Sequence, residues 1–298
     1  MNALKLAEKR HSVREYKHKK LSHQDKSYLN IQFINKPIFT GDQSLEFMFI
    51  EEGFSISEKL EGLAGYFGKM IHAPHYYALL CDRSPLCYKI AGFQGEWLIL
   101  KALQENIGAC WIEVHDPEKA KELLGINSDK HLVALIAIGY PKKEFQSSSL
   151  YASSHIGNVS SLVELGYPNI KLSNTQGPIS SRKSITEFVF YHTWGQHISI
   201  EDLEKLGIHE ALFYMRLAPS YRNRQPWTFL YKENAIILII ETDDSITKVI
   251  QCLDAGIAML YFEVGMHDIG INGHWQFDDI KLDDDIPAGY GVAGSFVF

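Results

Sequence analysis

The sequence lacks what a zinc site, a disulfide framework or a membrane span would require. Its 298 residues hold only four cysteines, Cys81, Cys87, Cys110 and Cys252, with no C-x-x-C spacing. They read as small core residues in a reducing compartment. The longest apolar helical stretch, near residues 255–264, is too short to cross a bilayer. Met1–Lys20 is strongly basic and has no apolar core, so no secretory signal and a cytoplasmic location are expected. A net charge of −7 gives no general attraction to nucleic acid or acidic membranes. An anionic ligand must therefore be held by a local cluster of cations and amides. There is no P-loop and no G-x-S-x-G elbow. Of the 13 histidines, His72 and His75 are three apart. Pro74 spoils a helical face between them and no carboxylate pair sits nearby at ligand spacing, so no metal is expected. Gly289-Tyr290-Gly291-Val292-Ala293-Gly294 matches G-x-G-x-x-G, but too little chain follows for the helix a dinucleotide motif needs. It reads as a glycine-rich final strand.

What is present is a globular pattern that runs twice. Hydrophobic residues make up 46% and charged residues 22%, as in an ordinary packed domain. A short helical run at Ala3–Lys9 leads into Arg10-His11-Ser12-Val13-Arg14-Glu15-Tyr16. Ser22-His23-Gln24-Asp25 is a capping box that opens a helix through about Phe33. Strands are predicted at Leu45–Ile50 and Tyr76–Cys81, separated by a glycine-punctuated helical stretch at Ser57–Ile71. A long helix runs from about Tyr88 to Asn106, its core face marked by Ile90, Phe93, Trp97, Leu100 and Leu103, with Gly108 as the expected C-cap. A short helix at about Glu118–Leu124 and the strand Leu132–Gly139 follow. Residues 146–174 are rich in Ser, Asn and Gly and form the best linker candidate.

The order then restarts. Arg182-Lys183-Ser184-Ile185-Thr186-Glu187-Phe188 echoes Arg10–Tyr16, and Ser199–Asp202 repeats the capping box. Strands at Thr228–Tyr231 and Ile236–Glu241 precede a helix of about Asp244–His267 that ends at Gly270, and the chain closes in a β-like run at Gly291–Phe298. This division gives halves at 1–145 and 178–298 with a linker at 146–177. Each half reads α-β-β-α-β, which implies an α+β sandwich, and a fused pair would pack as an intramolecular pseudo-dimer. The expected assembly is a monomer of this kind, with a further oligomer left open.

Two segments carry chemistry. On an extended chain Arg10, Ser12 and Arg14 point to one side, where two guanidiniums and a hydroxyl make a phosphate clamp. A solvated basic turn is the bland alternative. Pro219-Ser220-Tyr221-Arg222-Asn223-Arg224-Gln225-Pro226-Trp227 places polar side chains between two prolines, just before a strand. Such a stiff loop suits a flat heteroaromatic ligand, and an ordinary turn is its bland alternative.

Together R-x-S-x-R and P-S-x-x-N-x-Q-P-W resemble the nitroreductase superfamily of FMN enzymes. Glu15-Tyr16, Gly108-Ala109-Cys110-Trp111-Ile112 and the Gly139-Tyr140-Pro141 turn extend the likeness over nearly the whole chain, as two partial copies. The resemblance implies that Arg10, His11, Ser12 and Arg14 hold the phosphate and polar edge of FMN. Pro219, Ser220, Tyr221 and Asn223 would wrap the flavin from the other half, and Glu113 and Val114 would run past its reactive edge. Lys142, with Lys143, would reach the phosphate. Half one has the clamp without the loop; half two has the loop, but Thr186 stands where the second arginine belongs. One FMN per chain is therefore expected, with NADH or NADPH as electron donor and a small-molecule acceptor such as a nitroaromatic or quinone. No catalytic acid or base is expected, because the chemistry is centred on the flavin. The rival reading is a degenerate FMN-binding or storage module without turnover.

Overall fold

The computed structural model describes residues 3–37, 45–66, 68–142, 182–233, 235–278, 280 and 286–298. The linker expected at 146–177, and Lys143, lie outside the described residues. The first half runs α1 (Ala3–Lys9), α2 (His23–Ile34), β1 (Glu46–Ile50), α3 (Gly53–Ser57), β2 (Ala64–Gly65), β3 (His75–Cys81), α4 (Pro85–Gln104), β4 (Gly108–Val114), α5 (Pro117–Leu124) and β5 (His131–Gly139). The second half runs α6 (Ile185–Phe188), β6 (Val189–Tyr191), α7 (Ile200–Lys205), α8 (His209–Arg216), a 3-10 turn at Tyr221–Asn223, β7 (Trp227–Lys232) and β8 (Ala235–Glu241). It ends in α9 (Lys248–Asp268), β9 (His274–Gln276) and β10 (Tyr290–Val297).

Each half builds one five-stranded sheet, ordered β1-β3-β5-β4-β2 and β6-β7-β8-β10-β9. The shared part is β1-β3-β5-β4 against β7-β8-β10-β9, with α4 and α9 occupying the same place in the path. All pairings are antiparallel except β6 beside β7. This is an α+β sandwich in two diverged halves.

Local chemistry sets the helix starts. Ser22, Ser84, Asp116, Ser199 and Thr247 each accept the N3 backbone N–H of the helix that follows. Pro85 and Pro117 occupy first-turn positions, where a missing N–H costs nothing.

The halves meet along α4 and α9. At Gly92 a Cβ would lie 2.2 Å from the Leu253 carbonyl oxygen, and at Gly256 one would lie 1.9 Å from that of Lys89. The two backbones touch where each helix has a glycine. The apolar side chains of both helices, Phe93, Ile99, Ala258 and Phe262 among them, sit in one continuous core.

Several expectations fail for local reasons. Residues 57–71 do not form a helix; α3 stops at Ser57, and Gly62, Gly65 and Gly68 take φ of +80°, +128° and +78°. Those angles turn the chain and allow the short strand β2. Gly108 is not a helix cap. Asn106 takes the left-handed position at φ +57°, while Gly108 opens β4, where a Cβ would strike the Val13 side chain at 2.7 Å. Helix α9 has 21 residues and is apolar enough to cross a membrane by length and composition, against the sequence expectation. Most of it is packed inside the fold, with 72% of its most apolar window buried. α8, β6 and β9 have no counterpart among the sequence expectations, although Ala211, Leu212 and Met215 of α8 fall on one helical face.

Candidate functional site

The opening motif lies along β4. The Val13 N–H donates to the Ala109 carbonyl at 3.0 Å, which fixes Arg10, Ser12 and Arg14 beside the start of that strand. Arg10 turns inward. Its Nε and Nη2 donate to the two oxygens of Glu96 on α4 at 2.7 and 3.0 Å, and its Nη1 donates to Ser12 Oγ at 3.2 Å. The Arg10 side chain is 4% exposed and that of Glu96 is 0% exposed. Trp111 Nε1 on β4 and the Tyr261 hydroxyl on α9 also donate to this carboxylate, at 2.7 and 3.2 Å. Four donors thus surround one buried anion. Burial, the largest single influence, pushes the Arg10 guanidinium down in pKa; the Glu96 charge and hydrogen bond, with Tyr261 and Cys110, together outweigh it and raise the group above its ordinary value. Burial, followed by the Glu96 charge, pushes the Tyr261 phenol well above its ordinary range.

Arg14 points elsewhere. It is partly exposed and lies over the Tyr66 ring, with its Cζ 5.7 Å from the centroid. Tyr66 follows Gly65 of β2, which pairs with Glu113 of β4, and Ala64 pairs with Val114. Glu113 and Val114 therefore sit at the far end of the strand that the opening motif enters. His11 Nδ1 lies 3.0 Å from the Lys9 carbonyl, and burial lowers its pKa. Lys142 donates its backbone N–H to the Glu15 carbonyl at 2.9 Å and keeps an exposed side chain.

The loop of the second half reaches this place. The Tyr221 phenol lies close to Glu113, and burial followed by that carboxylate raises its pKa. Here the 219–223 loop and β4 touch across the boundary between the halves.

The loop is held from its own side. Arg222, Asn223 and Gln225 adopt φ of +51°, +56° and +53°, unusual for residues other than glycine, and conformations of this kind gather at binding sites. Ser220 Oγ accepts the Gln225 N–H at 2.8 Å, and Gln225 Nε2 donates to the Asn223 carbonyl at 3.1 Å. The Tyr221 N–H donates to both oxygens of Asp254 on α9, at 2.9 and 3.2 Å. Asp254 is 6% exposed. Burial drives its pKa up to about 7, against the Tyr221 N–H and the Arg224 charge. Pro219 is partly buried beside this turn.

The second opening motif serves the loop. Arg182 Nη1 donates to the Ala218 carbonyl, and the Lys183 N–H and Nζ donate to Gln225 Oε1 and O, both at 2.9 Å. Ser184 caps α6 with Glu187 in a capping box. Sequence reasoning placed no role on Glu96, Asp254 or Tyr261. The signal for the first two was there: a lone acid inside an apolar helix must find donors when it is buried.

Residues 2–266 match the family described as "Putative TM nitroreductase". Among solved structures, a "putative nitroreductase" from Thermotoga maritima aligns over 100% of this chain and 94% of its own, with a TM-score of 0.59 at 18% identity. An FMN-dependent nitroreductase from Clostridium difficile covers 52% of this chain and 99% of its own, at 20% identity and a TM-score of 0.41. A nitroreductase with bound FMN from Bacteroides fragilis covers 53% and 99%, at 17% identity and a TM-score of 0.43. No protein among the curated ones matches. The family match spans most of the sequence, and the chain belongs to this nitroreductase family.

Proposed function

We propose that the chain is an FMN-dependent NAD(P)H oxidoreductase of nitroreductase type with one flavin per chain, bound at the seam between the halves. The observation that carries this reading is the approach of Tyr221 to Glu113, which brings the loop of one half to the strand of the other. The donor set suits FMN. Ser12, Arg14 and His11 offer a hydroxyl, a guanidinium and an imidazole to the phosphate and polar edge. The loop of Pro219, Ser220, Tyr221 and Asn223 offers a stiff surface to a planar ring. From Ala109, beside the opening motif, to Glu113, β4 spans roughly 13 Å, at about 3.3 Å per residue, a length that suits an extended mononucleotide laid along it.

Bound FMN supplies hydride uptake and delivery, and the protein supplies placement and electrostatics. Arg14 and Ser12 hold the anionic end. Tyr221 and Glu113 border the ring end, and the loop, fixed by Asp254 and Lys183, sets how closely a donor or acceptor approaches. NADH or NADPH and then a small oxidised acceptor would use the same face in turn. The second half keeps Arg182 and Ser184 but commits them to its own loop and helix, in keeping with one site per chain.

The test is the visible spectrum of the purified chain after incubation with FMN and gel filtration. A stoichiometric flavin band that bleaches on anaerobic NADH or NADPH supports the oxidoreductase. A bound flavin that neither donor bleaches supports the storage module instead. Absence of bound flavin overturns both.

A further inference from the structure

We infer that the cavity between α1, α4, α8 and α9 is a binding site for a small aromatic carboxylate, its ring against Trp97, Tyr214 and Tyr261 and its anion beside Lys101. The cavity measures about 200 Å³ and lies where the two halves meet, so each half supplies part of the wall. An apolar cavity of roughly 150 Å³ is enough to take up benzene, so one ring with a short carboxylate arm fits here. None of the lining residues belongs to the proposed flavin site, and the inference stands apart from that reading.

The walls are largely hydrocarbon. The Tyr214 hydroxyl donates to Asp268 at 2.6 Å and the Tyr261 hydroxyl to Glu96 at 3.2 Å, so both phenols commit their O–H groups to the protein. Their rings, the Trp97 indole and aliphatic side chains of α1, α4 and α9 line the space. Aromatic walls favour a flat ring, which packs against them offset or edge-on. The donors gather on α4. Lys101 Nζ lies 4.3 Å from the Trp97 ring centroid, and no carboxylate among the described residues pairs with it. Burial lowers its pKa, and no neighbouring anion restores it. One turn earlier, the Trp97 indole N–H is buried and meets no acceptor among the described residues. A ligand anion supplies what this end of the cavity lacks: a counter-ion for Lys101 and an acceptor within the same turn of helix. A neutral ring supplies no charge, and a cationic one is repelled by the ammonium.

Phenylacetate and 2-phenylacetamide share a ring and arm and differ in charge, so the ratio of their affinities isolates the part played by Lys101. Each is titrated calorimetrically into the chain in the presence of excess FMN. The wild type should bind phenylacetate with a Kd below about 1 mM and about tenfold more tightly than the amide, the worth of one charge-assisted contact. K101M keeps the aliphatic stem and should bring the ratio close to one. L100W fills the cavity and should abolish binding of both probes. A wild type that binds neither probe, or a ratio that survives in K101M, overturns the site. Octanoate bound more tightly than phenylacetate overturns the aromatic assignment. Phenylacetate that still binds a folded L100W chain and shifts the flavin absorption band lies on the flavin, which overturns the site as well. Should L100W fail to fold, K101M decides alone. Failure of the chain to take up FMN overturns the proposed function and not this site, because the same titrations run without flavin.

Discussion

The Tyr261 hydroxyl donates to Glu96 Oε1 at 3.2 Å, and this bond passes from one half of the chain to the other. Its acceptor is already held by Arg10 and Trp111, so the phenol closes a network rather than standing alone. Y261F keeps the ring and removes the donor. It should cost about 1–2 kcal/mol in urea unfolding. E96A should cost more, about 3–5 kcal/mol, because it strands the buried Arg10 cation. If Y261F unfolds at the wild-type midpoint, the bond contributes nothing to holding the halves together.

A second prediction concerns the contact of α4 with α9. In G256A the new methyl would meet the Lys89 carbonyl at 1.9 Å, an obstacle made of backbone that cannot rotate away. The helices must separate, at a cost of about 1–3 kcal/mol or more. G125A is the control. That residue has φ +66° and open space around its Cβ position, so only backbone strain of about 1 kcal/mol is expected. Thermal melts followed by circular dichroism should rank G256A well below G125A; the reverse order would mean the helices have room to spare.

Much of this arrangement was legible in the sequence, because the features that define it are local. Ser22 and Ser199 cap helices by short-range hydrogen bonds, and alternating or periodic apolar residues mark β3, β5, α4 and α9. The order of motifs also showed that the clamp and the loop come from opposite halves. What stayed hidden depends on tertiary contacts. Gly62, Gly65 and Gly68 look like interruptions of a helix until their left-handed angles show the chain turning. Arg10 and Arg14 look equivalent until Glu96, more than eighty residues away, captures one of them. Gln225 looks like a loop residue, yet it is 4% exposed and receives Lys183 from the second opening motif.

That position yields a prediction about the loop. Q225N tolerates the φ of +53° but is one methylene too short to keep both the Lys183 and Asn223 bonds. The fold should survive, since the change lies outside the two sheets. Flavin uptake should weaken by roughly tenfold, about the worth of one hydrogen bond to a part-buried loop. The affinity is read by fluorescence titration beside a far-ultraviolet spectrum. Wild-type affinity in a folded Q225N chain would show that the loop needs no such clamp.

Asp254 ties the same loop to pH. Its carboxyl moves from an ordinary value of 3.8 to about 7 in the folded chain, chiefly because it is buried. The folded state therefore holds this proton more tightly than the unfolded state does. Between about pH 4 and pH 7 the unfolded carboxyl is ionised while the folded one still resists ionisation, so stability falls as pH rises. Above about pH 7 both forms are ionised and the loss is complete. Three pKa units set an upper bound of about 4 kcal/mol on the effect. D254N keeps an oxygen that can accept the Tyr221 N–H and has no proton to lose. Its stability relative to wild type should rise from about pH 4 to about pH 7 and then level off, as measured by urea unfolding at several pH values. A difference that does not change with pH would mean that Asp254 ionises as it does in water and that the buried carboxylate is solvated after all.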